Sequence, residues 1–182
     1  MTGLDQSTAM IAQADRSEAA EPLGIRYLVG DAATDRSVVG TCDLVLGNYL
    51  LPYAFTPEAL LAMCTTARAA LAGPGRRFVA VTPNPDMPTT LPGSYQKYGV
   101  EVAADGTAPS DGDILRVRAR VGGCPLDLTA CHWSRARYEW ALTGAGFAEV
   151  TWVRMHCGAD GDVALYADLV AAPHLLILIA TV

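Results

Sequence analysis

Apolar and polar positions along this chain follow two different periods, and each period predicts one kind of element. Three segments have helical spacing: one capped by Ser7 and running to about Ala20, one opened by Thr56 and Pro57, and one capped by Ser134 and ending near Gly144. Short apolar runs at 25–30, 42–47, 77–81, 147–153 and 174–182 predict strands, and residues 1–5 have the pattern of a strand's end. Strands that alternate with helices predict an α/β fold with a mostly parallel sheet covered on both faces.

The middle of the chain has a different pattern. The stretch Pro83–Asp113 is rich in Pro, Gly, Asp and Thr and has no helical period, as is typical of lids and binding loops. Residues 114–121 then alternate strictly, Gly122-Gly123 predicts a turn, and residues 125–132 return. We therefore predict an antiparallel hairpin inserted into the α/β fold.

These patterns predict one domain over residues 1–182, within which residues 84–132 form an insertion made of a lid and the hairpin. Arg116, Arg118 and Arg120 share one face of the hairpin. We interpret this row as a solvated face, with contact to an anionic substrate or to a partner as the alternative.

Composition limits the classes of function. Hydrophobic residues make up 51% of the 182 residues, enough for a sizeable core, and the net charge of −6 disfavours a role in binding the phosphate backbone of nucleic acids. No run of 18 apolar residues predicts a membrane span, and Met1–Asp5 does not have the pattern of a signal peptide. We therefore expect a cytoplasmic protein that binds neither nucleic acid nor membrane.

The cysteines do not form a recognisable framework. They are odd in number and include no C-x-x-C pair: Cys42, Cys64, Cys124, Cys131 and Cys157. We expect free thiols in a reducing compartment and no metal site. A zinc site is the alternative, and it would draw on Cys124, Cys131, His132, His156 and Cys157, whose spacing matches no zinc module.

Polar residues follow several of the predicted strands. In parallel α/β sheets, ligands bind at the carboxyl ends of the strands. The residues at those ends are Asp5, Asp31, Asn48, Tyr49 and Pro83. This edge of the sheet is therefore the predicted binding site.

Five segments, in order, carry a resemblance to a known family. They are Gly3-Leu4-Asp5-Gln6-Ser7 with Met10-Ile11 and Ala14; Val29-Gly30-Asp31-Ala32; Cys42-Asp43-Leu44-Val45; Leu71 with Gly73-Pro74-Gly75-Arg76-Arg77-Phe78; and His132-Trp133-Ser134 with Ala145-Gly146-Phe147 and Val150. Together they resemble the class I S-adenosylmethionine-dependent methyltransferases, in the branch that acts on small molecules. The resemblance implies a Rossmann-like fold with S-adenosyl-L-methionine as cofactor.

The resemblance assigns roles to residues at the strand ends. Asp5, with Gln6 beside it, would accept the two ribose hydroxyls, although a carboxylate there also suits the N-terminus of a helix. Asp31 and the Ala32 N–H would bind adenine, although Asp31 also suits a turn. Gly47 and Asn48 would approach the methionine part, although they also suit a plain strand-to-loop turn.

The substrate pocket is expected from aromatic residues near the same edge. The candidates are Tyr49, Tyr53, Tyr95, Tyr98, His132 and Trp133. A sulfonium donor is already activated, so that positioning supplies much of the rate, and His132 would take a proton from the acceptor. A packing role is the alternative for His132 and for each aromatic residue.

One motif of the resembled family is missing. Its glycine-rich turn after the first strand has no counterpart, since only four residues precede Asp5. The resemblance thus implies an N-terminally truncated fold without the strand that lies between the family's second and fourth strands. A homodimer or a partner chain would then complete the sheet. Three functions remain open. The first is methyl transfer to an O, N or C atom of a small molecule, and the second is a non-catalytic or partner-dependent role in a protein that has lost the cofactor loop. The third is another reaction catalysed by a methyltransferase-like fold.

Overall fold

The computed structural model describes residues 1–35, 40–87, 93–103, 108–121 and 124–182. The strands in these ranges are β1 (Thr2–Asp5), β2 (Arg26–Val29), β3 (Leu44–Asn48), β4 (Arg77–Pro83), β5 (Val100–Ala103), β6 (Ile114–Val121), β7 (Cys124–Cys131), β8 (Glu149–Arg154) and β9 (Leu175–Thr181). The α-helices are α1 (Thr8–Ala20), α2 (Pro57–Ala69), α3 (Arg135–Gly144) and α4 (Ala167–Ala171). Two 3-10 helices cover Leu51–Tyr53 and Gly93–Tyr98.

The helices begin where the capping residues predict. The hydroxyl oxygen of Ser7 accepts a hydrogen bond from the backbone N–H of Met10 at 3.3 Å, and that of Ser134 accepts one from Arg137 at 3.2 Å. Thr56 caps α2 in the same way, and Pro57 follows it in the first turn. Each cap satisfies an amide that the helix cannot, which fixes the helix start from local sequence.

The strands form three sheets. β1 and β2 pair in parallel, and β5, β6 and β7 form an antiparallel sheet. The four-stranded sheet has the order β3-β4-β9-β8, in which β3 and β4 are parallel and β9 runs antiparallel to both of its neighbours. The α/β class and the antiparallel hairpin are confirmed, and the central sheet is mixed because the last strand enters between β4 and β8.

One face of the four-stranded sheet carries the main core. The fully buried side chains on this face, each 0% exposed, are Phe78 and Ala80 of β4 and Leu178 and Ala180 of β9. Helices α2 and α3 supply the opposing side chains, which include Leu60, Cys64, Tyr138, Ala141 and Leu142. No residue of α1 belongs to this cluster. Helices α2 and α3 therefore cover the same face, whereas α1 packs on β1 and β2.

The inserted region is more regular than its composition predicts. A 3-10 helix (Gly93–Tyr98) and β5 lie in the stretch predicted as irregular, and β5 extends the hairpin to three strands. Composition gave no sign of β5 because cross-strand pairing with β6 stabilises it. The Gly122-Gly123 turn, residues 88–92 and residues 104–107 lie outside the described residues. On the hairpin, Arg116 and Arg118 are exposed, and Arg118 Nε lies 3.5 Å from Asp127 Oδ1, which makes an ion pair at the surface.

The two parallel pairs are not joined. β1 has β2 as its neighbour and β3 has β4, and among the described residues no strand lies on the other edge of either β1 or β3. The expected interruption between these strands is therefore seen, and β1 does not close it by pairing with β3. Within the described ranges, no helix is long and apolar enough to cross a membrane.

Candidate functional site

The chain topology collects several segments at one edge of the sheet. Ala32 and Ala33, just after β2, and Leu50, just after β3, pack against the same core. Helices α2 and α3 each precede a strand that runs parallel to β3, so that their first turns lie at this edge as well. We call it the carboxyl edge, because the parallel strands end there.

Asp5 ends β1 with an exposed carboxylate. Its Oδ1 accepts a hydrogen bond from the Ser7 backbone N–H at 2.7 Å, which fixes the side chain across the start of α1. Gln6, the next residue, is exposed. The alternative role of Asp5, a carboxylate at the N-terminus of a helix, is therefore present in the structure. The hydrogen bond from Ser7 occupies one of the two carboxylate oxygens.

Asp31 follows β2 and organises a tight turn. Its Oδ1 accepts from the Ala33 N–H at 2.8 Å, and its own N–H donates to Asp35 Oδ2 at 2.7 Å. Ala32 is half-buried between these two contacts. The alternative role of Asp31, a turn-forming residue, is therefore present in the structure. The two hydrogen bonds fix Asp31 and the Ala32 backbone in one arrangement.

The end of β3 combines close packing with backbone strain. A side chain at Gly47 would meet the Phe78 ring at 2.8 Å, so that the packing of Phe78 requires glycine there. Asn48 is exposed, and Tyr49 has φ 53°, in the left-handed region that non-glycine residues rarely adopt. Burial and the neighbouring Tyr53 raise the pKa of Tyr49. Strain of this kind is typical of functional loops.

Trp133 ties α3 to the segment after β3. Its side chain is 2% exposed, and its indole N–H donates to the Ala54 carbonyl at 2.9 Å. The structure therefore places Trp133 in the core. Tyr53, in the 3-10 helix next to Ala54, is 38% exposed.

His132 lies among acidic residues at the start of α3. Its backbone N–H donates to the Asp113 carbonyl at 2.8 Å, and its carbonyl accepts from the Gly112 N–H at 2.9 Å. Burial lowers the pKa of His132 and outweighs the opposing effect of Asp111, Asp113 and Asp86. The imidazole is therefore neutral near pH 7, the form that can accept a proton.

Two ion pairs near His132 were not found from the sequence. Arg137 Nε lies 3.2 Å from Asp111 Oδ2, and Arg135 Nε lies 2.7 Å from Asp86 Oδ2. Hydrogen bonds from Ser134 and Arg137 lower the pKa of Asp111 despite its partial burial, which acts in the opposite direction. The partners are 26 and 49 residues apart in sequence, so no local spacing could have indicated them.

Tyr98 lies in a second aromatic group, beside α4. Its hydroxyl donates to the Leu165 carbonyl, and its ring stacks on Tyr166 with centroids 6.0 Å apart. Tyr95 is almost fully buried, and its single hydroxyl proton is shared between the carbonyls of Ala172 and Asp168, both of which lie within hydrogen-bond distance. The 3-10 helix at 93–98 is thus attached to the α4 segment.

The cysteines are free thiols. Burial raises the pKa of Cys64 to about 12 and that of Cys131 to about 11, so neither is a reactive thiolate. In the part of the chain that the structure describes, no group of three or more His, Cys, Asp or Glu side chains is arranged to hold a metal ion.

No protein-family model matches the chain, and no curated protein sequence does. Solved structures do match its fold. An S-adenosylmethionine-dependent methyltransferase from Mesorhizobium loti is 24% identical with a TM-score of 0.62, over 100% of this chain and 79% of that one. Another from Clostridium acetobutylicum is 11% identical with a TM-score of 0.62, over 100% of this chain and 74% of that one.

CalS10, an amino pentose methyltransferase from Micromonospora echinaspora solved with its cofactor bound, is 19% identical with a TM-score of 0.60. The match covers 100% of this chain and 73% of CalS10. The chain therefore has the Rossmann-like fold of S-adenosylmethionine-dependent methyltransferases, and it spans about three quarters of these neighbours. The resemblance read from the sequence is confirmed at the level of the fold.

Proposed function

We propose that this chain serves S-adenosylmethionine-dependent methyl transfer to an O, N or C atom of a small molecule. The observation that carries the proposal is the set of polar residues at the carboxyl edge of a methyltransferase fold: an exposed carboxylate at the end of β1, a half-buried carboxylate after β2 and an exposed amide at the end of β3. These groups suit a nucleoside cofactor, because a carboxylate accepts hydrogen bonds from ribose hydroxyls and from an adenine amino group.

Each residue has a role in this proposal. Asp5 keeps one carboxylate oxygen for the ribose hydroxyls while the other holds Ser7, and Gln6 lies beside it. Asp31 and the Ala32 backbone form the adenine subsite. Asn48, next to the closely packed Gly47, contacts the methionine part. The bound cofactor supplies a methyl group on a positively charged sulfur, which needs little acid–base assistance.

His132 is the proposed base. Its neutral imidazole accepts the proton that a hydroxyl or amine acceptor loses, and the surrounding carboxylates favour the imidazolium that results. Tyr49, Tyr53 and Tyr98 are proposed to contact the substrate, while Trp133 supports the Leu51–Tyr53 segment from the core.

The net charge of −6 supports a small molecule rather than a nucleic acid as the acceptor. A cytoplasmic location agrees with the free cysteines and stays a prediction.

Calorimetric titration of S-adenosylhomocysteine into the chain tests the cofactor site. We expect micromolar binding, about −8 kcal/mol. Asp5→Asn keeps an oxygen for Ser7 but removes the charge, and we expect it to weaken binding about 10- to 100-fold, the usual range for a hydrogen bond to a charged group. Asp15→Asn, at an exposed position on α1, is the matched control.

His132→Gln distinguishes catalysis from binding. We expect it to leave S-adenosylhomocysteine binding unchanged and to lower the turnover of an accepted substrate. Equal binding by the wild type, Asp5→Asn and Asp31→Ala would contradict the proposed cofactor site.

A second candidate is a non-catalytic or partner-dependent methyltransferase-like protein. The open edges of β1 and β3 favour it, because the loop that should cradle the cofactor would follow a strand placed between them. No heat from a folded chain in the same titration, with binding restored by a partner, would favour this candidate over the first.

A further inference from the structure

A cavity of about 250 Å³ lies between the segment that follows β8 and helix α4, and it is partly open to solvent. Its lining includes Met155, His156 and Cys157 on one wall and Tyr166, Leu169 and Val170 on the other. None of these side chains has a role in the proposed cofactor site. The cavity therefore calls for an occupant of its own.

Strand register places this cavity beside the carboxyl edge. The pairing of β3, β4, β9 and β8 aligns Asn48, Val81, Ile177 and Val153 in one row across the sheet. Neighbouring strands are about 4.8 Å apart, so Val153 lies about 14 Å from Asn48, the proposed contact of the methionine part. Met155 follows two residues after Val153 and lines the cavity. This distance suits a remote part of the acceptor and excludes its reacting atom.

Both walls of the cavity are held in place. Two carbonyls at the end of α4 accept hydrogen bonds from Arg154 Nη2, at 2.8 and 3.4 Å, which joins the end of β8 to α4. Tyr98 stacks on Tyr166 and supports the α4 wall. On the other wall, Gly161 packs so closely on Cys157 that a side chain at this position would collide with the sulfur atom. Walls that are fixed in advance lower the entropic cost of binding.

The volume limits the size of the occupant. An apolar cavity of about 150 Å³ holds one molecule of benzene, so a cavity of about 250 Å³ suits one substituted ring or two fused rings. Pockets for whole drug-sized ligands measure about 300–1,000 Å³. The cavity therefore fits one ring-bearing part of a larger molecule.

The lining favours an uncharged group. None of the described residues that line the cavity is Asp, Glu, Lys or Arg, so a charged group would lose hydration without gaining a partner of opposite charge. Asp160 and Asp162 are exposed in the loop between the two walls and would repel an anion in addition. Methionine and tyrosine side chains, in contrast, make favourable contacts with rings.

We propose that this cavity, which we call the ring pocket, binds an uncharged ring at the end of the methyl acceptor that is remote from the reacting atom. That the ring belongs to the acceptor rests on the proposed function, whereas the ring pocket itself rests on the cavity. The acceptor is then an elongated small molecule whose ring lies about 14 Å from the atom that receives the methyl group. Binding energy from such a remote group helps to position the reacting atom.

Indole is the probe for the ring pocket, and benzoate and benzylamine are charged probes of similar size. Each is titrated into the isotope-labelled, cofactor-free chain, and amide shifts are followed by NMR. We expect indole to shift the amides of residues 155–161 and 166–170 with a Kd of about 1 mM or below. Both charged probes should bind at least about tenfold more weakly, because their charges have no partner in the lining.

Cysteine alkylation by iodoacetamide provides a second readout of the same site. Cys157 lines the ring pocket, whereas Cys124 is exposed on β7 and is the internal reference. Indole at several times its Kd should slow the alkylation of Cys157 at least about threefold by mass action. The alkylation of Cys124 should not change.

A matched pair of substitutions tests the location. Val170→Glu places a charge in the ring pocket, at a position that is 39% exposed, and we expect it to weaken indole binding at least about tenfold. Val163→Glu is the same change at a position that is 69% exposed and outside the lining, and it should leave binding unchanged. If Val170→Glu does not fold, Val170→Thr takes its place, with an expected loss of about threefold because its added hydroxyl must be desolvated.

Turnover separates the role in the acceptor from the ring pocket itself. Phenol and amine acceptors with and without a ring about 14 Å from the nucleophilic atom are assayed with S-adenosylmethionine. We expect Val170→Glu to raise KM at least about tenfold for acceptors with the remote ring and to leave KM unchanged for those without it. Indole binding without turnover of any acceptor would contradict methyl transfer and the acceptor role, and it would support the ring pocket.

Three results would overturn the ring pocket. The first is the absence of saturable indole shifts in residues 155–170 up to about 10 mM. The second is benzoate or benzylamine binding as tightly as indole, and the third is an equal loss of indole binding in Val163→Glu. A rise in KM that is the same for acceptors with and without the remote ring would overturn the acceptor role.

Discussion

The two faces of the four-stranded sheet carry similar apolar side chains and differ in what packs on them. In β9, Leu176, Leu178 and Ala180 point to the face covered by α2 and α3 and are at most 1% exposed. Ile177 and Ile179 of the same strand point to the other face and are only half-buried. One strand thus shows that burial follows the packing of helices rather than the identity of the side chain.

The largest expected effect compares neighbours in β9. Leu178→Ala removes a side chain that is 0% exposed, and we expect it to lower the free energy of unfolding by about 2–5 kcal/mol. Ile177 lies on the face that neither α2 nor α3 covers, which we call the open face. Ile177→Ala should lower the free energy of unfolding by about 1 kcal/mol, since less apolar area is lost from the interior. Urea titration measures both, and equal losses would mean that the open face is covered in solution.

A buried hydrogen bond on the covered face is the next target. The hydroxyls of Thr82 and Tyr138 are 2.8 Å apart. Tyr138→Phe leaves the Thr82 hydroxyl without this partner, and we expect a loss of about 1–3 kcal/mol, part of which Thr82→Val should recover. Tyr166→Phe, at a position that is 40% exposed, should change stability by no more than about 0.5 kcal/mol. An equal loss in Tyr166→Phe would contradict this account.

The carboxyl edge should make stability depend on pH. Burial lowers the pKa of both His132 and His174 below 6.5. As the pH falls through 6.5, the unfolded chain binds protons that the folded chain does not, so stability should decrease from pH 7.5 to 5.5. We expect a smaller effect than for the core substitutions, and the double variant His132→Gln, His174→Gln should flatten the profile. An unchanged slope in that variant would show that other groups cause it.

The smallest effect is expected on the open face. Leu44→Ser and Leu46→Ser should change the free energy of unfolding by no more than about 0.5 kcal/mol, because both side chains are at least half exposed. They should also reduce the fluorescence of a dye that binds apolar surfaces. A loss above 1 kcal/mol would mean that these leucines pack against something in the isolated chain.

Local signals predicted the elements well. Ser7, Thr56 and Ser134 each cap the helix that they were expected to start, because a cap depends on residues only three positions apart. The apolar runs predicted the strands for a similar reason. Hydrophobic periodicity is set by the element's own geometry and needs no partner.

Long-range contacts could not be predicted in the same way. Trp133 is held in the core by Ala54, 79 residues away, and Tyr98 is held by Leu165, 67 residues away. Gly47 is required by the Phe78 ring of the neighbouring strand. The sequence indicated residue types suited to a site, but which of them remain at the surface depends on the assembled core.

The order in which the strands are synthesised has a consequence for the nascent chain. β9 pairs with β4 along all seven residues from Arg77 to Pro83, yet residues 84–174 are translated between these two strands. At about 5–20 residues per second, the edge of β4 stays without its partner for roughly 5–20 seconds on the ribosome. During that time the backbone groups of β4 that later pair with β9 have no partner strand, so a ribosome-associated chaperone should improve the yield of folded protein. A stop codon just before Leu175 would release a chain in which β8 has no neighbour.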